Sequence, residues 1–454
     1  MKLMKTVTSA LLFLFFLSGT ALAQSNGTEV LRTIGEAPSP DRIEGDITTL
    51  VDFGTRHTLS DTTSETSGIG AARRWLKAEF EKISADCGGC LEVMYVSDIV
   101  EGENRIPEPT NIVNVIAIQR GTADPDRFVI MSGDIDSRVL DALDGTSESP
   151  GANDNASGVA GVLESARVLS QYEFEGSIMY AQLSGEEQGL FGGKILADYA
   201  KEQGWKIKGV LNNDMIGNIE GINGVINNTT ARVFSEGTRY VETEREAMIR
   251  RFTGGEVDSP SRNLARYVDK MADLYIRNLD VMMIYRLDRF GRGGHHRPFN
   301  EAGFPGVRIM ETNEHYDRQH QDLRTENGRE FGDILKGVDF DYAAKLTGLN
   351  SVVMAGMSWA PAPPDGVRLS GAVQPSAKLE WEALSKEENP QLAGYKIYWR
   401  LTDSNQWEKS IFVGDVTEYT LENVVIDNYY FGVASVSKDG FESPVVFPGP
   451  AGAF

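Results

Sequence analysis

Between Ile43 and Met357 the chain alternates short apolar runs of strand composition with segments whose apolar residues recur at helical spacing, and nothing else restricts its fold as tightly. Ile112–Ile118, Phe128–Ser132, Ser177–Leu183, Gly209–Leu211 and Gly306–Met310 read as strands. Ile69, Ala72, Leu76, Phe80 and Ile83 line one side of a helix, as do Val159, Val162, Ala166 and Leu169. Strands separated by helices predict an α/β fold: a mostly parallel central sheet flanked by helices, over residues 43–357.

The texture changes after a Pro-rich linker at 358–364. Short alternating strands follow at Lys378–Trp381, Gly394–Trp399, Ser410–Val413, Tyr419–Leu421 and Tyr429–Ser435. Turn residues separate them, which predicts a small, separately folding β-sandwich over 365–447 and a tail at 448–454. With Trp381, the Tyr395–Trp399 strand and Tyr429-Tyr430-Phe431, it resembles a fibronectin type III module. A protein or carbohydrate is the partner such a module leads one to expect.

Residues 1–23 read as an export signal, with Lys2 and Lys5, an apolar run around Ala10–Leu17, and the small-x-small site Ala21-Leu22-Ala23. Residues 24–42 are polar and expected to be extended. A secreted or periplasmic location follows, and there Cys87 and Cys90, the only cysteines, are expected to form a disulfide. The formal charge of −22 argues against nucleic acid and against an anionic membrane surface. No later segment reaches the roughly 20 apolar residues of a membrane span.

The chemistry is suggested by where the acids sit. Asp134 and Asp136 follow one strand, Glu186 and Glu187 the next, and Asp214 a third. Open α/β sheets collect ligands at the carboxyl ends of their strands. Asp154 joins from a turn leading into the Val159–Leu169 helix, where by itself it reads as an N-cap. Packed carboxylates repel, each at a cost of several kcal/mol unless neutralised. A pair of divalent ions about 3.5–4 Å apart neutralises them and polarises a carbonyl. His320, in Gln319-His320-Gln321-Asp322, suits the nitrogen ligand, and one of Glu186 and Glu187 suits the base.

The pieces Ser132-Gly133-x-x-Asp136-Ser137, Gly151-Ala152-Asn153-Asp154-Asn155-Ala156-Ser157-Gly158-Val159, Ser184-Gly185-Glu186-Glu187-Gln188-Gly189-Leu190-Phe191-Gly192 and Asn213-Asp214-Met215-Ile216-Gly217 resemble the co-catalytic zinc exopeptidase family. That family holds secreted bacterial aminopeptidases, glutamate carboxypeptidases and glutaminyl cyclases. The later Pro298-Phe299 and Gly303-Phe304-Pro305 match as well. The resemblance implies a peptide substrate cleaved at its amino terminus by metal-activated water, with Glu186 as general base. It implies that Asp154 bridges two ions, that Glu187 and His320 complete a zinc site, and that Asp214 serves the other ion. Asp136 would orient the ligand two residues before it, and the Asp154–Asn155 peptide would be cis. Asp322 favours His320 over His315 as the last ligand.

Two departures stand out. The family has His-x-Asp where this chain has Asp134-Ile135-Asp136, so the second ion would see only Asp134, Asp154 and Asp214. An all-oxygen site admits manganese or magnesium beside zinc. The family also shows Asp-His before x-Pro-Phe, where this chain has His295-His296. His296 is expected to bind substrate, His295 is left open, and His57 reads as structural. An aminopeptidase is the leading expectation. Carboxypeptidase or glutaminyl cyclase chemistry is the alternative within the family, and a non-catalytic binding protein the alternative outside it.

Overall fold

In the computed structural model, which describes residues 17–454 and their side chains from residue 27, alternate residues of the central strands feed two separate cores. The charged start and most of the apolar run of the expected export signal lie outside the described residues. Eight strands, β1 (Leu91–Val100), β2 (Thr110–Gln119), β3 (Asp124–Asp134), β4 (Gly176–Leu183), β5 (Lys206–Asn213), β6 (Thr230–Phe234), β7 (Asp280–Ile284) and β8 (Gly306–Glu311), form one sheet in the order 1-2-4-3-5-8-6-7. Its centre, β4, β3, β5 and β8, is parallel; β1, β2 and β6 join antiparallel to their inner neighbours. The α/β expectation therefore holds.

Val129 and Met131 of β3 face one core with α2 (Pro40–Asp52), α3 (Gly68–Asp86) and α4 (Ala156–Leu169), while Phe128 and Ile130 face the other. Between β4 and β5 lie the single turn α5 (Glu186–Gly189) and α6 (Phe191–Glu202). Then follow α7 (Glu244–Thr253), α8 (Pro260–Tyr275), α9 (His296–Glu301) and α10 (Phe340–Trp359). Burial on both sides explains why the central strands read as continuous apolar runs.

The segment 24–42 is not extended. It belongs to α1 (Leu17–Glu36) and to the start of α2. Leu31 and Ile34, one turn apart, are buried in the first core. Ser39 then caps α2, accepting the Arg42 amide, with Pro40 in the first turn. The Cys87–Cys90 disulfide closes the turn after α3. No helix among the described residues is long and apolar enough to cross a membrane.

A short hairpin, β9 (Arg324–Glu326) and β10 (Arg329–Phe331), precedes the C-terminal region. There β11 (Arg368–Ser370), β12 (Ala377–Glu380), β13 (Leu392–Leu401), β14 (Lys409–Gly414), β15 (Glu418–Leu421) and β16 (Tyr429–Ser437) make two antiparallel three-stranded sheets, 11-12-15 and 14-13-16. Leu379, Trp381, Tyr395, Ile397, Phe431 and Val433 share the core between them.

The linker does not act as a spacer. Trp359 stacks on Phe441 at 4.9 Å, and Ser435 Oγ donates to the Pro361 and Ala362 carbonyls at 3.0 and 2.8 Å. Asp258 accepts from Arg266 at 2.9 Å and from Arg400 of β13 at 2.8 Å, all three fully buried. Such charges are tolerable only as a set, so the two lobes are joined by a fixed interface. The end of the chain is packed too, with Lys208 Nζ donating to the Phe454 carbonyl at 3.3 Å.

Candidate metal centre

The turn before α4, the turn α5 after β4 and the loop between β8 and β9 bring three of the expected ligands to one point. His320 Nε2 lies 2.9 Å from Asp154 Oδ2 and 2.8 Å from Glu187 Oε1. One donor atom from each residue falls within 4.8 Å of the other two. Arg138 stands behind them, its Nε 2.7 Å from Glu187 Oε2 and its terminal nitrogen 2.7 Å from His320 Nδ1. Burial lowers the His320 pKa, but the Glu187 and Asp154 carboxylates raise it more, to about 9. A point with that much negative charge around one ring nitrogen favours a cation. Carboxylate oxygens and an imidazole nitrogen are donor types that zinc takes.

Each ligand is held by its own scaffold. Asp333 Oδ2 accepts the Asp154 amide at 2.6 Å and Asp333 Oδ1 the Asn153 amide at 2.9 Å. The 154–155 peptide is cis, as the resemblance implies, and Asn155 caps α4 by accepting the Gly158 amide at 3.1 Å. Gly185, at φ +74°, turns the chain sharply from β4 into α5, a left-handed conformation that glycine adopts without strain. The two oxygens of Asp136 then accept the Glu186 and Glu187 amides at 3.2 and 3.0 Å. Asp136 thus orients the Glu186-Glu187 turn and not, as expected, residue 134. Glu186 is half-buried, and burial with the Glu187 and Asp214 charges pushes it well above the carboxylate range.

The second expected position is built differently. Asp214 Oδ2 lies 2.7 Å from Arg308 of β8, while its Oδ1 is buried without a hydrogen-bond partner. Burial raises Asp214 to about 8, against the pull of the Arg308 charge. Asp134 does not join the three-donor group. Its Oδ1 sits 2.5 Å from His295 Nδ1 and its Oδ2 accepts from Asn155 Nδ2 at 2.8 Å. Among the described residues, Asp134 and Asp214 do not gather with Asp154 into a group of donors within 4.8 Å of one another, as Glu187 and His320 do.

His296 is fully buried, its Nε2 2.9 Å from the Leu287 carbonyl, and has no face open to a substrate. The expected substrate role fails for that reason: the ring braces the loop entering α9. His57 is structural as read, with Nδ1 accepting the Leu59 amide at 3.0 Å. His315 stays outside the three-donor group.

Three residues of the site were not singled out by sequence. Arg138 follows Asp136 by two positions, and a cation beside so many acids was its available signal. Arg308, a charge inside an apolar strand, was similarly visible. Asp333, in the loop after β10, carries no local signal.

Comparison with known proteins bears on this geometry directly. Residues 114–336 match the family model described as Peptidase family M28. A "probable zinc metalloprotease" of Leptosphaeria maculans is 41% identical over 433 residues, covering 95% of this chain and 100% of that protein. Another, from Pyrenophora teres f. teres, is 39% identical over 436 residues, covering 95% of this chain and 89% of its own. The crystal structure of the Legionella pneumophila LapA aminopeptidase shares the fold, with a TM-score of 0.54 at 20% identity over 73% of this chain and 75% of that one. Identity at this level along nearly the whole chain, in a protein whose sheet edge gathers two carboxylates and an imidazole about one point, settles the assignment: the chain belongs to peptidase family M28 and is a metallopeptidase.

Proposed function

We propose that the protein is an exported zinc aminopeptidase that hydrolyses N-terminal peptide bonds, with Glu186 as general base. The observation that carries this reading is the split of the Glu186-Glu187 pair. Asp136 fixes both amides, Glu187 turns toward His320, and Glu186 stays half-buried outside the three-donor group. Asp154, Glu187 and His320 would hold the ion. When bound, zinc supplies a Lewis acid for the scissile carbonyl and for the attacking water. Glu186 accepts the proton of that water and returns it to the leaving amine. Arg138 and Asp333 keep the ligand side chain of Glu187 and the backbone of Asp154 in place before substrate arrives. The choice of the amino terminus follows the motif resemblance over residues 43–357.

Export rests on residues 1–23 and on the Cys87–Cys90 bond, which an oxidising compartment preserves. The C-terminal sheets, packed around Trp381 and Tyr395, are read as a fibronectin type III-like module with a protein or carbohydrate partner.

Aminoacyl fluorogenic substrates test the central step. Glu186→Gln should lower kcat by roughly 10²–10⁴ while zinc content stays unchanged. Near-normal turnover in that variant would remove Glu186 from the mechanism.

A further inference from the structure

His295 lies 161 positions from Asp134 in the chain, yet its Nδ1 comes within 2.5 Å of Asp134 Oδ1, both side chains buried. A carboxylate set against one nitrogen of a buried imidazole is how proteins aim the other nitrogen at a cation. Here that other nitrogen, Nε2, is buried and has no hydrogen-bond partner. A polar atom is rarely left so without a ligand to meet it. Asp214 Oδ1 is in the same condition, while its Oδ2 is held by Arg308 at 2.7 Å. Arg308 is fixed in turn by Asp288, at 3.0 Å. The His295 ring is clamped as well as aimed. A Cβ at Gly193 of α6 would stand 2.8 Å from His295 Cδ2, so the close approach of α6 requires glycine there.

We infer that His295 Nε2 is the nitrogen donor to a second divalent ion, shared with Asp214 Oδ1 and with the bridging Asp154, and that Asp134 orients the ring instead of ligating. This inference rests on the metallopeptidase reading above. The two departures from the family pattern then become one. The family's imidazole at position 134 and carboxylate at position 295 have exchanged places, and the charge and the donor types of the pair are preserved. With an imidazole on each ion, the second position favours zinc, reversing the preference for harder ions drawn from Asp134 alone.

The full chain, saturated with zinc and dialysed, should carry two zinc ions, and X-ray absorption should find on average one imidazole per zinc. His295→Gln should retain a single zinc. Asp134→Asn, which leaves the ring in place but weakens its anchor, should lower affinity for the second zinc about 10–100-fold and leave the first unchanged. Two zinc ions sharing one imidazole would overturn the inference, as would two zinc ions still bound at full affinity in His295→Gln. A single zinc in the unmodified, active enzyme would overturn it too, and would leave Asp214 to the Arg308 and Arg289 charges. If His295→Gln does not fold, the imidazole count of the unmodified protein decides. The two readings fail differently: no zinc and no hydrolysis would sink the metallopeptidase function, whereas one zinc with hydrolysis would sink only the role of His295.

Discussion

Asp136 shows how one carboxylate can set a site without touching what reacts in it. Its two oxygens accept two consecutive amides, so Glu186 and Glu187 leave the turn in opposite roles. Asp136→Asn keeps the shape but replaces one acceptor by an NH₂, which cannot receive an amide proton. The expected result is a fall in kcat of about 10–100-fold with weaker zinc binding, a loss typical of groups behind a metal ligand. Kinetics and a zinc titration on the same sample check it; unchanged values for both would reduce Asp136 to a satisfied core acid. Asp136, Glu187 and Asp214 were legible because they follow strand ends, and Asp154 because it stands just before a helix in a Gly- and Asn-rich turn. Their partners were not. Asp333 meets Asn153 across 180 positions, and His295 meets Asp134 across 161, distances that no local pattern encodes.

Among the elements, β3 and β4 were legible because both faces are buried, whereas β1 is exposed at the sheet edge and mixes polar with apolar residues. The five strands foreseen in the C-terminal region are all present, and only the three-residue β11 was missed. What composition concealed was attachment. Pro361 and Pro363 read as a spacer, but the interface depends on Asp258, Arg266 and Arg400, which lie on either side of it. Asp258→Ala leaves two guanidinium groups buried without their shared carboxylate. It is expected to destabilise the protein by about 3–5 kcal/mol, the usual consequence of removing one partner from a buried set. Urea denaturation measures this, and a loss below about 1 kcal/mol would show that water reaches the interface and screens it.

For the whole molecule, the sheet collects Asp134, Asp136, Asp154, Glu186, Glu187 and Asp214 at its carboxyl edge, faced by His320 and by Arg56, Arg73, Arg138, Arg289 and Arg308. A divalent ion at Asp154, Glu187 and His320 binds only where the fold brings these three together, so fold and activity are linked through the metal. The most direct test is to strip the full chain with a chelator and return zinc stepwise, following bound zinc and hydrolysis of an aminoacyl substrate in the same sample. Hydrolysis is predicted to vanish on chelation and to return as zinc binds. Hydrolysis that persists in the metal-free protein, or full zinc occupancy with no aminoacyl substrate cleaved, would contradict the account.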